Sequence, residues 1–280
     1  SDSFASLGGH SLLAVRMALQ VNKAFNIKLP FTEIKSDSTI FSLAQKIKTG
    51  FSLKTSSVLP IQKSETNQTL FMFHPISGLA YDYVNLSNYI KNWTIYGINN
   101  PYFGEEKYHY NTLQKMTSEY LDIIQEITPE GPYYLSGWSF GGLVALEGAI
   151  QLTKRGKKVN QVVLIDTYNP IHLSTKNIDK DIKKFLKLAN VSESSIEGQF
   201  LFEEIKKNDF LMQNYNVSTY TGAVTLMKAS STDGLFDAGW KKENLPNLNI
   251  VNLTSTHYEL FQYPNVKFLS TQLLEILDKA

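Results

Sequence analysis

The residues best able to do chemistry in this chain are Gly137-Trp138-Ser139-Phe140-Gly141-Gly142. They follow an apolar run, Tyr133-Tyr134-Leu135, and precede a helix-like stretch, Leu143-Val144-Ala145-Leu146-Glu147-Gly148-Ala149-Ile150. A strand, Gly-x-Ser-x-Gly and a helix in that order make a nucleophile elbow, a tight turn that exposes a serine hydroxyl. The flanking glycines remove side chains that would collide with the strand and the helix. The N–H of Phe140 then points to where an oxyanion would form. Gly-x-Ser-x-Gly by itself is common and is often only a glycine-rich turn with a surface serine. Here both flanks fit the elbow.

An activated serine needs a base, and the base needs an orienting acid. In the elbow architecture the chain order is serine, acid, histidine. Of the five histidines, 10, 74, 109, 172 and 257, only His172 and His257 follow Ser139. His257 lies just past the last strand-like run, Ile250-Val251-Asn252-Leu253, where a loop would deliver an imidazole to the serine. His172 opens a long insertion, where it would be poorly fixed. Two acids follow strand-like runs: Asp166 directly after Val162-Val163-Leu164-Ile165, and Asp233 in Ser230-Ser231-Thr232-Asp233-Gly234. Position alone leaves both open and favours Asp166, because a residue at a strand end is better fixed than one inside a glycine-containing turn. A second oxyanion donor is expected in Phe73-His74-Pro75-Ile76-Ser77-Gly78, as the backbone N–H of Ile76. His74 precedes the serine and reads as structural.

The elements needed to place these groups are legible in outline. From Thr69 onward, short apolar runs alternate with helical stretches expected at 79–91, 112–127, 141–155 and 265–279. Such alternation implies an α/β architecture, a mainly parallel sheet with helices on both faces. Residues 171–219 break the rhythm. They are helical, charged and carry apolar groups that look exposed (Phe185, Leu186, Phe200, Leu201, Phe202, Phe210 and Leu211), so they read as a lid, with a plain helical decoration as the alternative. Residues 1–50 read as a small helical unit too short to hold much core alone, with helices from Ser11 and from Thr39, the second capped by Ser38 or Thr39. Residues 51–68 read as a linker that runs into a strand near Val58.

Composition narrows the function classes. The 27 basic and 26 acidic residues nearly cancel, which argues against nucleic acid or an anionic membrane as partner. The chain has no cysteine, so a disulfide, a thiolate metal site and a cysteine nucleophile are all excluded, and no metal site is expected. That fits a reducing, cytoplasmic compartment. No apolar run spans a membrane and no signal peptide opens the sequence. Without an initiator methionine the chain reads as part of something longer, with residue 1 an arbitrary boundary.

A second motif stands at the start. Asp2-Ser3-Phe4-Ala5-Ser6-Leu7-Gly8-Gly9-His10-Ser11-Leu12-Leu13 resembles the phosphopantetheine attachment site of peptidyl carrier domains in nonribosomal peptide synthetases, through Leu7-Gly8-Gly9-His10-Ser11-Leu12. The resemblance implies a 4'-phosphopantetheine arm on Ser11, loaded by a phosphopantetheinyl transferase. A helix N-terminus, with its free N–H groups and dipole, suits such a phosphate. A full carrier domain needs an earlier helix that is absent here, so the carrier reads as truncated.

Residues 69–279 resemble the thioesterase domains that end these assembly lines, through Phe73-His74-Pro75-x-x-Gly78, Gly137 to Gly142, Asp166 and His257. The resemblance implies an α/β-hydrolase fold with a helical lid and favours Asp166 over Asp233 as the acid. It implies a serine thioesterase with upstream synthetase domains as partners. The enzyme would take an acyl or peptidyl thioester onto Ser139 and release it by hydrolysis or macrocyclisation. The competing readings are a proofreading thioesterase, a free-standing esterase or lipase, and a carrier-fused binding module with an inactive hydrolase fold.

Overall fold

The computed structural model describes residues 2–4, 6–7, 11–25, 27, 29, 33–34, 38–49, 57–103, 110–172, 178–188, 191–230 and 237–280. A seven-stranded sheet forms from β1 (Val58–Gln62), β2 (Thr69–Phe73), β3 (Thr94–Ile98), β4 (Tyr133–Trp138), β5 (Val159–Ile165), β6 (Val224–Lys228) and β7 (Leu248–Asn252). The strand order is β1-β3-β2-β4-β5-β6-β7. β1 runs antiparallel to β3 at one edge, and every other pair is parallel. The parallel strands therefore end along one edge, and Trp138, Ile165 and Met227 lie side by side there.

Alternate side chains enter opposite cores, as a pleated strand demands. Phe71, Phe73, Leu135 and Leu164 pack with α3 (Leu113–Ile127) and α4 (Phe140–Lys154). Leu70, Met72, Tyr134 and Ile165 pack on the other face with α7 (Asn265–Leu277). β4 is buried along its whole length, which explains why its sequence shows no polar alternation. Thr112 caps α3 by accepting from the Lys115 N–H.

The expected helix at 79–91 is a 3₁₀ helix over Tyr81–Asn88. Ala80, Tyr83 and Leu86 all enter the same core, and their spacing of three matches a helix of three residues per turn.

The early residues contribute α1 (Ser11–Phe25) and α2 (Ile40–Thr49), with Thr39 accepting from the Ser42 N–H as the cap. The expected lid consists of α5 (Ile178–Leu188) and α6 (Ile196–Gln213). Its apolar groups differ from the expectation. Leu186, Leu201 and Leu211 are buried, whereas Phe210 is exposed. For Leu186 and Leu201 the reason is a shared core, in which Ala14 and Ala18 of α1 join Ile182, Leu186, Leu201 and Ile205 of the lid, whereas Leu211 joins the core of α3 and α4. The small unit thus completes its core with the lid rather than alone. The hydroxyl of Tyr81, on the 3₁₀ helix, ties the small unit to the body of the sheet domain as well, by donating to the Ile34 carbonyl at 3.1 Å.

Candidate active site

Ser139 stands between β4 and α4 with φ 56° and ψ −120°. A non-glycine residue in that region stores about 1–3 kcal/mol, so its surroundings must hold it there. Its N–H donates to the Ile165 carbonyl at 2.9 Å, and its carbonyl accepts from the Gly142 N–H and the Thr167 hydroxyl, each at 3.1 Å. The sharp turn brings backbones into contact. A Cβ on Gly137 would strike the Gly141 backbone, and one on Gly141 would strike the Phe73 and His74 carbonyls. Ser139 remains half-buried, while Phe140 is buried. As the first residue of α4, Phe140 has an N–H with no carbonyl one turn earlier in the helix to receive it.

Asp166 directly follows β5 at φ 41°, also left-handed, and is 3% exposed. Its N–H donates to the Met227 carbonyl at 2.8 Å. Oδ1 accepts from the Ala229 N–H at 2.9 Å, and Oδ2 lies 2.6 Å from His257 Nδ1. His257 opens a short 3₁₀ turn after β7, with Thr256 and Glu259 forming a capping box. Its ring sits 4.9 Å from that of Trp138, the residue preceding Ser139. The acid–histidine pair therefore packs directly on the elbow. Asp233, the other candidate acid, lies outside the described residues, as do His10 and His109. His172 closes a 3₁₀ turn over Pro170–His172, where its ring packs on Gly239.

The loop after β2 is held from several sides. His74 is buried, with Nδ1 2.7 Å from the Pro75 carbonyl and Nε2 2.8 Å from the Tyr120 hydroxyl. Nδ1–H donates to the carbonyl, and Nε2 accepts from the phenol. Burial lowers the His74 pKa from 6.5 to about 4, opposed by the bond to Pro75, so the ring is neutral at pH 7. The Gly78 N–H also donates to the Pro75 carbonyl at 3.0 Å. In a trans peptide the C=O and N–H point in opposite directions. Pinning the Pro75 carbonyl therefore aims the Ile76 N–H the other way. The His74 ring also stacks on Phe140 at 5.8 Å, which joins the two candidate oxyanion donors.

Two supporting groups carry no sequence signal. Tyr83 donates to the Phe73 carbonyl at 2.7 Å and accepts from the Trp138 N–H at 2.9 Å, bridging the end of β2, where the candidate oxyanion loop begins, and the elbow. Asn208, buried on α6, donates to the Ile76 carbonyl of that same loop and to Glu204, which is also buried on α6. Burial raises the Glu204 pKa, while hydrogen bonds from Asn100 and Asn208 and the charge of Lys207 oppose the rise. None of these residues belongs to a spacing motif. Only the folded chain brings them to the loop.

Ser11 is the first residue of α1, a 15-residue helix with no acidic residue in its first turn. That setting fits a phosphodiester on Ser11: the helix N-terminus attracts the anion, and no carboxylate there repels it. Among the described residues, no helix is long and apolar enough to cross a membrane.

Comparison with known proteins agrees with both halves. The family described as "Thioesterase domain" matches residues 68–266, and that described as "Phosphopantetheine attachment site" matches residues 1–47. The dimodular nonribosomal peptide synthase of Bacillus subtilis is 33% identical over 189 residues, 67% of this chain and 8% of that protein. The vanchrobactin synthetase VabF of Vibrio anguillarum is 31% identical over 265 residues, 86% of this chain and 9% of that protein. This chain thus spans less than a tenth of either relative. Among solved structures, the NocB thioesterase domain in covalent complex with a fluorophosphonate nocardicin G analogue superposes with a TM-score of 0.72 at 30% identity, covering 76% of this chain and 95% of that one. A holo four-domain nonribosomal peptide synthetase bound to AMP and glycine covers 98% of this chain and 24% of that one, with a TM-score of 0.74 at 26% identity.

Proposed function

This chain belongs to the thioesterase domain family and carries a phosphopantetheine attachment segment, and from that premise we propose that it is the releasing terminus of a nonribosomal peptide synthetase. In this reading residues 1–50 are the carrier, 51–68 the linker and 69–280 the thioesterase domain. The catalytic residues are Ser139, His257 and Asp166, and the oxyanion donors are the N–H groups of Ile76 and Phe140. A phosphopantetheine on Ser11, when present, offers the acyl or peptidyl chain as a thioester.

The chemistry of this chain's residues then follows. His257 Nε2 accepts the Ser139 hydroxyl proton as Oγ bonds to the thioester carbonyl carbon. The charge that develops on the carbonyl oxygen meets the two N–H groups. Asp166 accepts from Nδ1–H and stabilises the imidazolium. As the carbon–sulfur bond breaks, His257 returns its proton to the departing thiolate, and the acyl group remains as an ester on Ser139. A second cycle with water gives a free acid, and one with an internal amine or hydroxyl gives a ring.

The observation that carries this reading is the 2.6 Å contact between His257 and Asp166, packed against Trp138 beside the serine. The core that α1 shares with the lid favours a tethered substrate over a free ester, because tethering makes the transfer effectively intramolecular. Upstream synthetase domains and a phosphopantetheinyl transferase are the partners proposed, with the cytoplasm as the compartment. The test is product analysis with a panel of peptidyl thioesters. Turnover by the wild type and none by Ser139→Ala supports the reading. Equal turnover by both refutes it.

A further inference from the structure

Among the buried polar groups that the mechanism leaves unused, the amide of Asn208 has the most specific placement. It lies on α6 with no exposed surface. Its Nδ2 donates to the Ile76 carbonyl at 2.9 Å and to Glu204 Oε1 at 3.2 Å, which uses both hydrogens. The amide has one workable orientation. Turned over, Oδ1 would face a carbonyl and a carboxylate oxygen, neither of them a donor.

Glu204 extends the grip. Its Oε1 also accepts from Asn100 Nδ2 at 2.5 Å, and the Asn100 N–H donates to the Gly78 carbonyl at 2.9 Å. Gly78 has φ 83°, and a Cβ there would press on the Glu204 side chain and on Phe103. The lid carboxylate thus lies flush against the loop's glycine, and the loop is gripped at Ile76 and at Gly78.

We propose that Asn208 is a positioning residue for the oxyanion hole. By holding the Ile76 carbonyl it fixes the rotation of that residue from its C-terminal side, while His74 and Gly78 fix the preceding peptide. Together these bonds set the aim of the Ile76 N–H. The proposal rests on the reading of Ser139 as nucleophile and Ile76 as oxyanion donor. It also gives the lid a role beyond cover. Leu201, Glu204, Ile205 and Asn208 recur at helical spacing of three and four, so they share one side of α6. Leu201 and Ile205 join the core that α1 enters, and Glu204 and Asn208 hold the loop. The helix that seats the carrier segment therefore also shapes the catalytic loop.

The test is Asn208→Ala in the full chain, with two inhibitors built on one acyl chain. A trifluoromethyl ketone forms a tetrahedral oxyanion on Ser139, whereas the matching thioether has no carbonyl at the reacting position. The ketone should bind about 10–100-fold more weakly to the variant, somewhat less than the loss of a whole oxyanion donor would cause, and kcat should fall in step. Thioether affinity and KM should stay near the wild-type values. A variant in which ketone and thioether weaken by the same factor, or in which neither weakens, overturns the proposal. Loss of packing alone would move both inhibitors together. If Asn208→Ala does not fold, Asn208→Leu fills a similar volume without the donors and carries the same comparison. A wild type that binds ketone no more tightly than thioether would instead sink the nucleophile reading itself, a separate result read before any variant is made.

Discussion

His257 Nδ1 and Asp166 Oδ2 lie 2.6 Å apart, although 91 residues separate them in the chain. The other carboxylate oxygen is already committed, since Oδ1 accepts from the Ala229 N–H. Asp166 can therefore neither rotate nor retreat without losing a bond. In the proposed mechanism it holds the histidine in the tautomer that carries hydrogen on Nδ1, which leaves Nε2 to accept a proton.

Asp166→Asn should invert that tautomer. With its oxygen kept on the Ala229 N–H, the new amide would point its NH₂ at His257 Nδ1 and force the imidazole hydrogen onto Nε2. The expected loss in kcat is about 10⁴-fold, with the fold intact. Steady-state thioester hydrolysis, alongside a denaturant unfolding curve, checks it. A loss below about tenfold in folded protein would remove Asp166 from the proposed machinery.

Tyr83→Phe should weaken both stability and turnover. The hydroxyl is the shared partner of the Phe73 carbonyl and the Trp138 N–H, and all three residues are buried. Its loss would leave a donor and an acceptor unpaired in the core, at a cost of about 2–4 kcal/mol. It would also uncouple the oxyanion loop from the elbow, so kcat should fall more than KM rises. Urea midpoints and initial rates on one preparation test both effects.

The path from sequence to fold was direct wherever one physical signal governed an element. The apolar runs of β4 and β5, the alternation with helices and the glycines of the elbow each point to a parallel sheet ending in a sharp turn. The signal failed where packing partners decide the outcome. Ala80, Tyr83 and Leu86 suit a helix of either pitch, and only the core they share selects the 3₁₀ form. Leu186 and Leu201 look exposed in a charged segment because the surface that covers them, α1, lies more than 150 residues away in the chain. For the acid, sequence position left Asp166 and Asp233 open, and contact with a distant histidine is not a local property. Tyr83 and Asn208 act through hydrogen bonds to distant backbone atoms, which no spacing encodes.

His74 should make the fold sensitive to acid within a defined window. Its pKa falls from 6.5 to about 4 on burial, so the unfolded chain binds a proton at this site more readily than the folded one. Stability from this residue is fully present above pH 6.5 and is lost as pH falls toward 4, below which the loss levels off. The shift corresponds to about 3 kcal/mol across that window. Unfolding free energies of wild type and His74→Asn between pH 7 and pH 4 should therefore converge as pH falls, if the variant starts out less stable. Parallel pH profiles for the two proteins would show that another group sets the acid response.

Two glycines separate close backbone contact from mere conformational need. Gly156 follows α4 with φ 74°, and a Cβ there would meet nothing within 4 Å. Gly156→Ala therefore carries only the left-handed penalty, about 1–2 kcal/mol. Gly137 has no positive φ, yet its Cβ would overlap the carbonyl carbon and oxygen of Gly141 and the Gly142 nitrogen. Those are backbone atoms, so no rotamer change relieves the clash, and the elbow must open by moving α4 away from β4. Gly137→Ala should then lose well over ~3 kcal/mol or fail to fold, because a side chain forced into a packed core also shifts the backbone. Any folded fraction should show a large fall in labelling by a fluorophosphonate, since Ser139 moves with the turn. Thermal unfolding of both variants gives the contrast, and equal losses at the two positions would mean that α4 does not press on β4 as closely as these contacts require.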